Sequence, residues 1–205
     1  VPPYVVVREG RGIPADVADL AWPVFVKPAR GGSSIGISKV ADRSGLEAAL
    51  ADAFRQDPKA LVESGVVGRE VECGVLAGVD GTEPQASLPA EIRLAAGADF
   101  YDFDAKYMPE SGTAFDIPPD LPADVIAEIQ RTAIAAFEAL DCEGLARVDF
   151  FLGGAGELVV NEVNTMPGFT PSSMFPQMWA ASGVAYPDLV ARLIDDAVRR
   201  GTGLR

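Results

Sequence analysis

The sequence predicts an α+β fold with mainly antiparallel sheets, on three observations. Two apolar runs, "ARVDFFL" (146–152) and "ELVVNEV" (157–163), are joined by "GGAG", a hairpin signal. Shorter apolar runs at 22–27, 60–64 and 70–78 are bounded by loops rich in glycine. Helical spacing of apolar residues is sustained at 122–140 and again at about 187–200.

In chain order, "WPVFVK" (22–27) reads as a short strand that runs into the loop "PARGGSSIG" and then a further strand. "SGLE" (44–47) has Ser and Glu at capping-box spacing, after which Leu46, Leu50 and Phe54 recur as one helix face. "ALVES" and "EVECGVLAG" are strands separated by "GVVGR", and "ASLPAEIRL" (86–94) is another. Residues 97–120 are rich in Gly, Asp, Pro, Tyr and Phe without a period, which predicts a long ordered loop of the kind that carries function. "PADVIAEIQRTAIAAFEAL" (122–140) places Val125, Ile126, Ile129, Ala133, Ile134, Phe137 and Leu140 at helical spacing behind Pro122. The hairpin follows, and a last helix turns Leu189, Leu193, Ile194 and Ala197 inward. No internal repeat and no low-complexity segment interrupts this order.

Composition narrows the chemistry. At 205 residues and 48% apolar content the chain can bury a sizeable core, as one domain or as two small lobes. Lys plus Arg number 17 against 30 Asp plus Glu, and a net charge of -13 argues against broad contact with nucleic acid or an anionic membrane. An anionic ligand must therefore be held by a few locally placed cations. No apolar run approaches the roughly 18 residues of a membrane-spanning helix. The chain begins at Val1, and "VPPYVVVREG" has neither the basic start nor the apolar core of a signal peptide, so a fragment of a longer chain is expected. Cys73 and Cys142 lie in unrelated apolar segments and read as reduced, buried thiols of a cytoplasmic protein. Histidine is absent, so a zinc site or a Ser-His-Asp hydrolase has no parts here. What remains is carboxylates, Lys, Arg, backbone N–H groups and hard metals.

In the hairpin, strict alternation puts Arg147, Asp149 and Phe151 on one face of the first strand. It puts Leu158, Val160, Glu162 and Asn164 on one face of the second. If those faces coincide, Asp149, Glu162 and Asn164 form an oxygen donor set that suits Mg2+. A polar face that merely meets water fits the same alternation equally well. "RGGSSIG" after Lys27 has the small residues that let backbone N–H groups wrap a phosphate, yet it is not a Walker A sequence and equally reads as a turn. "VESGVVGRE" is either a loop between strands or a hinge whose backbone meets an adenine while Glu70 accepts ribose hydroxyls. Lys106 in "DAKY" falls in the long loop. Together the pieces supply what ATP needs.

In this order the blocks "FVKPARGGSSIGISKV", "VESGVVGREVECGVL", "FYDFDAKY", "GLARVDFFL" and "NEVNTMPGFTPSSMFP" resemble the ATP-binding portion of D-alanine:D-alanine ligases, members of the ATP-grasp superfamily. The resemblance implies an ATP-grasp fold, two α+β lobes clasping ATP, with a small lobe at 1–78 and a large lobe at 79–205. It implies that Lys27 holds the α and β phosphates, that Gly32, Ser33 and Ser34 form a lid loop, and that Ser33 also lies near the D-alanine pocket. Glu63 and the backbone near Val66 would meet adenine, Glu70 the ribose and Lys106 the γ phosphate, while Tyr107 closes the long loop over substrate. Asp149, Glu162 and Asn164 would hold two Mg2+ ions, with Mn2+ as a possible substitute. Arg147 and the Gly168 N–H would stabilise a tetrahedral intermediate, and Ser173 and Met174 would meet the carboxylate of the second D-alanine. The implied reaction joins two D-alanines through a D-alanyl phosphate for peptidoglycan precursors, in the cytoplasm, in an enzyme that is a homodimer when intact.

Phosphoryl transfer suits a chain without histidine, because it leans on positioning and on charge stabilisation by Mg2+, Lys and Arg. The family's N-terminal domain, with a Glu, a His and a Lys of the site, is missing from these residues, so the fragment alone is expected to be inactive. Ser64 replaces a Lys that some members place beside adenine, and Gly31 stands where others carry Glu. The competing expectations are a ligase using D-lactate as second substrate and a non-catalytic ATP-binding module.

Overall fold

The computed structural model describes residues 1–32, 34–79, 82–93 and 114–201. The chain divides into two compact units. Among the described residues, one is Val1–Val67 and the other is Gly68–Arg93 with Ala114–Arg205, of which 202–205 are not described.

The first unit is a four-stranded antiparallel sheet of β1 (Tyr4–Arg8), β2 (Val24–Pro28), β3 (Ser38–Val40) and β4 (Lys59–Ser64), in the order β1-β4-β2-β3. Helix α1 (Leu46–Phe54) packs Leu46, Ala49, Leu50 and Ala53 against Val24, Val26, Ala60 and Val62, all of them buried. The expected Ser44–Glu47 capping box does not form. Instead Asp42 Oδ1 accepts from the Ser44 N–H at 2.8 Å, and a 3-10 turn, Arg43–Gly45, leads into the helix. The other sheet face carries Tyr4, Phe25, Lys27, Leu61 and Glu63, none of which is buried.

The second unit holds β5 (Gly68–Leu76), β6 (Gln85–Ala86), β7 (Ala90–Arg93), β8 (Ala114–Asp116), β9 (Leu145–Gly153) and β10 (Leu158–Asn164). They make an antiparallel six-stranded sheet in the order β10-β9-β5-β7-β8, with β6 beside β5. The strand expected in a lobe ending at 78 is thus the centre of this second sheet, because β5 pairs with β9 along its whole length. The run 86–94 is split into β6 and β7 around Pro89, which has no N–H for a ladder. Of the expected loop 97–120, residues 114–116 are strand β8 on β7, and 97–113 lie outside the described residues.

Period-two alternation sorts this sheet. Val71, Cys73, Val75, Ala146, Val148, Phe150 and Leu152 face α2 (Ala123–Ala139) and pack on its Ile129, Ala133 and Phe137. Leu140 is 62% exposed, since it caps the helix instead of extending its apolar stripe. On the opposite face Leu76 joins Phe175 and Trp179 of α3 (Met174–Ala181) and Leu189 of α4 (Tyr186–Arg200). In α4 the expected inward Ile194 and Ala197 are exposed. The packed stripe runs through Leu189, Leu193, Asp196 and Arg200, where Arg200 pairs with Asp196 and Glu143. Both cysteines are free, Cys73 buried and Cys142 half-buried. Burial pushes the Cys73 thiol up to about 12, which makes it inert.

Asp57 is 2% exposed and ties α1 to the glycine-rich loop. Arg30 Nε donates to its Oδ2 at 2.7 Å, and the Lys59 N–H donates to its Oδ1 at 2.9 Å. The Arg30 hydrogen bonds, with that N–H, hold its carboxyl down from 3.8 to about 2. A depressed acid stabilises the fold above its unfolded pKa and loses that contribution as pH falls through the folded one. The stability gap between the native chain and Asp57→Asn should therefore be constant from pH 5 to 7 and close between about pH 4 and 2, as read by urea unfolding. A gap unchanged at pH 2 would show that the carboxylate charge is not what stabilises this corner.

Candidate functional site

In the first unit the extended backbone of β2 and β4 sets Lys27 and Glu63 one diagonal apart on the same face. Lys27 Nζ lies 2.5 Å from Glu63 Oε2, so the expected phosphate cation and adenine contact are ion-paired with each other. Between β2 and β3 the loop reverses in two successive turns, with the Ile35 N–H donating to Gly32 O and the Ile37 N–H to Ser34 O. Ser34 adopts φ 59, a backbone region that costs a non-glycine residue on the order of 1 kcal/mol and tends to be kept at functional sites. Gly32 has open space where a Cβ would stand. After β4 the expected hinge begins at Gly65, whose N–H donates to Pro23 O at 2.8 Å; a Cβ there would meet that same oxygen, so only glycine fits. Val66 follows half-buried. Ser33, Lys106 and Tyr107 lie outside the described residues.

In the second unit, register does what strict alternation could not. Leu158 and Val160 pair with Leu152 and Phe150 and face the α2 core. Asn161 is then inserted as a bulge, and Glu162 pairs with Asp149 and Asn164 with Arg147. A bulge shifts the alternation by one residue. Leu158 and Val160 are therefore not on one face with Glu162 and Asn164, as the uninterrupted period predicts. The correction is what brings Asp149, Glu162, Asn164 and Arg147 onto one face. Across the other edge of β9, Glu72 stands opposite Asp149 and Glu70 opposite Phe151, so both join that face.

Arg147 is the cation in this row of carboxylates. Its Nε and Nη2 each donate to one oxygen of Asp149 at 2.7 Å, and Nε lies 3.3 Å from Glu72 Oε2. Burial pulls against the guanidinium charge. The hydrogen bonds and charge of Asp149, followed by the charges of Glu72 and Glu162, outweigh it and hold Arg147 charged. The three side chains are 15%, 13% and 6% exposed for Arg147, Asp149 and Glu72. Asp149, Glu162 and Asn164 fit a hard cation in donor chemistry and in sharing a face. Among the described residues no three acidic, His or Cys side chains are gathered into a cation cage. The Asp149 carboxylate is turned to Arg147 instead, and Asn164 Oδ1 accepts from the Met166 N–H at 3.1 Å.

Beyond β10 the chain brings Gly168 and Ser173 together. A Cβ on Gly168 would stand 3.0 Å from Ser173 Oγ. Ser173 precedes α3, but its Oγ reaches back to accept from the Thr170 N–H at 3.0 Å. Met174 and Phe175 are the first residues of that helix, whose N-terminal amides suit an anion, while Pro176 has no N–H to offer. Phe169 anchors the turn, its ring 5.9 Å from Phe175 and 5.8 Å from Tyr186, and its carbonyl accepts from the Tyr186 hydroxyl at 2.8 Å. Sequence reasoning missed this anchor, because α3 is short and nearly all apolar and so shows no period. It missed Glu72 too, although a lone carboxylate inside the apolar run "EVECGVL" is a visible signal.

A family model described as D-ala D-ala ligase C-terminus matches residues 1–195. A D-alanine--D-alanine ligase of Kineococcus radiotolerans is 59% identical over 197 residues, covering 95% of this chain and 52% of that protein. The VanG D-Ala:D-Ser ligase of Enterococcus faecalis superposes with a TM-score of 0.80 at 37% identity, over 95% of this chain and 56% of that one. A Bacillus anthracis D-alanine--D-alanine ligase solved in complex with ATP gives 0.79 at 27% identity, over 97% and 60%. The chain spans about half the length of the curated relatives it matches.

Gly74 lies opposite Arg147, and a Cβ on it would meet Trp179 Nε1 at 2.9 Å and the Phe175 ring at 3.1 Å. Gly74→Ala should therefore cost about 1–3 kcal/mol in urea unfolding, by overpacking, and shift the indole fluorescence. A neutral substitution would mean that α3 can withdraw from the sheet freely.

Proposed function

The chain belongs to the D-alanine:D-alanine ligase C-terminal family and has its ATP-grasp fold. From that membership we propose that it is the nucleotide-binding half of an ATP-dependent ligase that joins two D-alanines for peptidoglycan precursors. The observation that carries the reading is the shared face of β5, β9 and β10, where Arg147, Asp149, Glu162 and Asn164 meet by register.

On this reading Lys27 meets the α and β phosphates, Gly32, Ser33 and Ser34 form the phosphate loop, Glu63 and Val66 meet adenine, and Glu70 meets the ribose. Lys106 serves the γ phosphate and Tyr107 the substrate. Asp149, Glu162 and Asn164 hold Mg2+, two ions in the full site, which when bound neutralises charge on the transferring phosphoryl group. A carboxylate oxygen of the first D-alanine bonds to the γ phosphorus as the bond to ADP breaks, giving an acyl phosphate. The amine of the second then bonds to the acyl carbon and phosphate leaves. Arg147 and the Gly168 N–H face the oxygen that becomes negative in that step. Ser173 and the Met174 N–H receive the second carboxylate. Curated relatives named D-alanine--D-alanine ligase match at 50% to 59% identity, which supports D-alanine as second substrate. The partner in catalysis is the N-terminal domain of the same protein, and the intact enzyme is a cytoplasmic homodimer. No described helix is long and apolar enough to cross a membrane.

Calorimetric titration with Mg-ATP should show Mg-dependent binding that falls about tenfold or more in Asp149→Asn and in Glu162→Gln. Binding that is unchanged in both variants would remove the metal assignment. With the rest of the protein supplied, D-alanine-dependent phosphate release should drop on the order of 100-fold or more in Arg147→Ala. Undiminished turnover would rule out its oxyanion role.

A further inference from the structure

Glu72 is 4% exposed, in the middle of β5, with β7 and β9 paired on either side of it. Its neighbours Val71 and Cys73 are core, and an apolar residue would suit the buried position better than a carboxylate, whose desolvation is costly. Among the described residues it has an ion-pair partner in Arg147, whose Nε lies 3.3 Å from Glu72 Oε2 and donates to Asp149 at 2.7 Å. Arg147 thus stands between two carboxylates that are themselves opposite each other on adjacent strands.

The proposed function makes opposing demands on this arrangement. Asp149 must turn its oxygens to a cation, yet both now accept from Arg147. Arg147 is mostly buried, and a buried charge left without its counterion is strongly destabilising. Without a second anchor the guanidinium would follow Asp149 or swing out to water, and it could not stay aimed at the reacting carbonyl. We infer that Glu72 is a positioning residue: it keeps Arg147 in place when Asp149 is taken by the metal. Glu72 is suited to stay because its backbone is locked in the sheet on both sides and its side chain is enclosed. Arg147 needs no swing to reach it, since Nε already lies near Glu72 Oε2. This inference rests on the proposed metal role of Asp149, and the test separates the two.

The test follows the Arg147 Nε–H signal by 15N NMR on the 205-residue chain, assigned by its loss in Arg147→Lys, with and without saturating Mg-ATP. The native chain should keep a slowly exchanging Nε–H in both states, with a shift on Mg-ATP that Asp149→Asn abolishes. Glu72→Gln should keep it without ligand, held by Asp149, and exchange it at least tenfold faster with Mg-ATP. Slow exchange in liganded Glu72→Gln, or fast exchange in the liganded native chain, overturns the inference and leaves the function standing. No Asp149-dependent shift overturns both. Should Glu72→Gln fail to fold, Glu72→Met, an apolar side chain of similar length, takes its place with the same expectation. In the intact enzyme Glu72→Gln should lower kcat roughly 10- to 100-fold with KM for ATP within about threefold, as for residues that orient a metal site from behind. Glu72→Asp should restore most of it; an equal loss in both variants counts against a role for the charge.

Discussion

The alternation of β9 is the constraint from which the site follows. Val148, Phe150 and Leu152 are buried under α2, and each contributes about 1.5–3 kcal/mol by leaving water. A slip of one residue would forfeit all of that and turn Arg147 and Asp149 into the core. A buried ion pair adds little net stability, because desolvating both charges offsets their attraction, so it cannot set the register against such a sum. Packing therefore decides where the charges go, and the charges make use of the face they are given. The bulge at Asn161 extends this to β10, because it lets Val160 remain in the core while Glu162 and Asn164 come round to Asp149 and Arg147.

An acidic chain proposed to hold a polyanion has to concentrate its cations, and two of those proposed for the task are held in internal ion pairs. Lys27 is paired with Glu63 and Arg147 with Asp149 and Glu72, so these two cations each start from an internal ion pair. Exchanging one counterion for another costs less than exposing and reburying a bare charge. In the second unit the row Glu72, Asp149, Glu162 across three strands sets more negative charge around Arg147 than it neutralises, a surplus that divalent cations would satisfy.

Much of this was legible in the sequence where the signal is local. The β9-β10 hairpin, α2, α4 and the glycine-rich loop each announce themselves through period or turn chemistry. The fold class followed from them. What was not legible depends on partners distant in sequence. Strand β1 has a local signal in Tyr4 and the three valines after it, and what the sequence leaves open is its pairing with β4. Helix α3 has no polar face to give it a period. Ile194 and Leu140 have the spacing of core residues but no opposing surface, and are exposed. A one-residue bulge leaves no mark in composition, yet it reverses the facing of Glu162. Glu72 was passed over because its strand neighbours pointed to core, and only register shows it beside Arg147. Of the proposed site residues, alternation alone aligns Arg147 with Asp149; Glu162 and Asn164 join them only through the bulge, and the proposed roles of Gly168 and Ser173 depend on the Phe169 anchor, which is tertiary.

The central claim is that the face shared by Arg147, Asp149, Glu162 and Asn164 is where metal-bound nucleotide is held. Paramagnetic broadening of backbone amide signals by Mn2+ with ATP tests it most directly, since the effect falls steeply with distance from the ion. The account predicts that the amides of 147–149 and 162–164 broaden first, that Ile129 and Ala133 on the far side of the sheet are spared, and that Asp149→Asn removes the effect. Broadening centred elsewhere in the chain, or undiminished in Asp149→Asn, would contradict it.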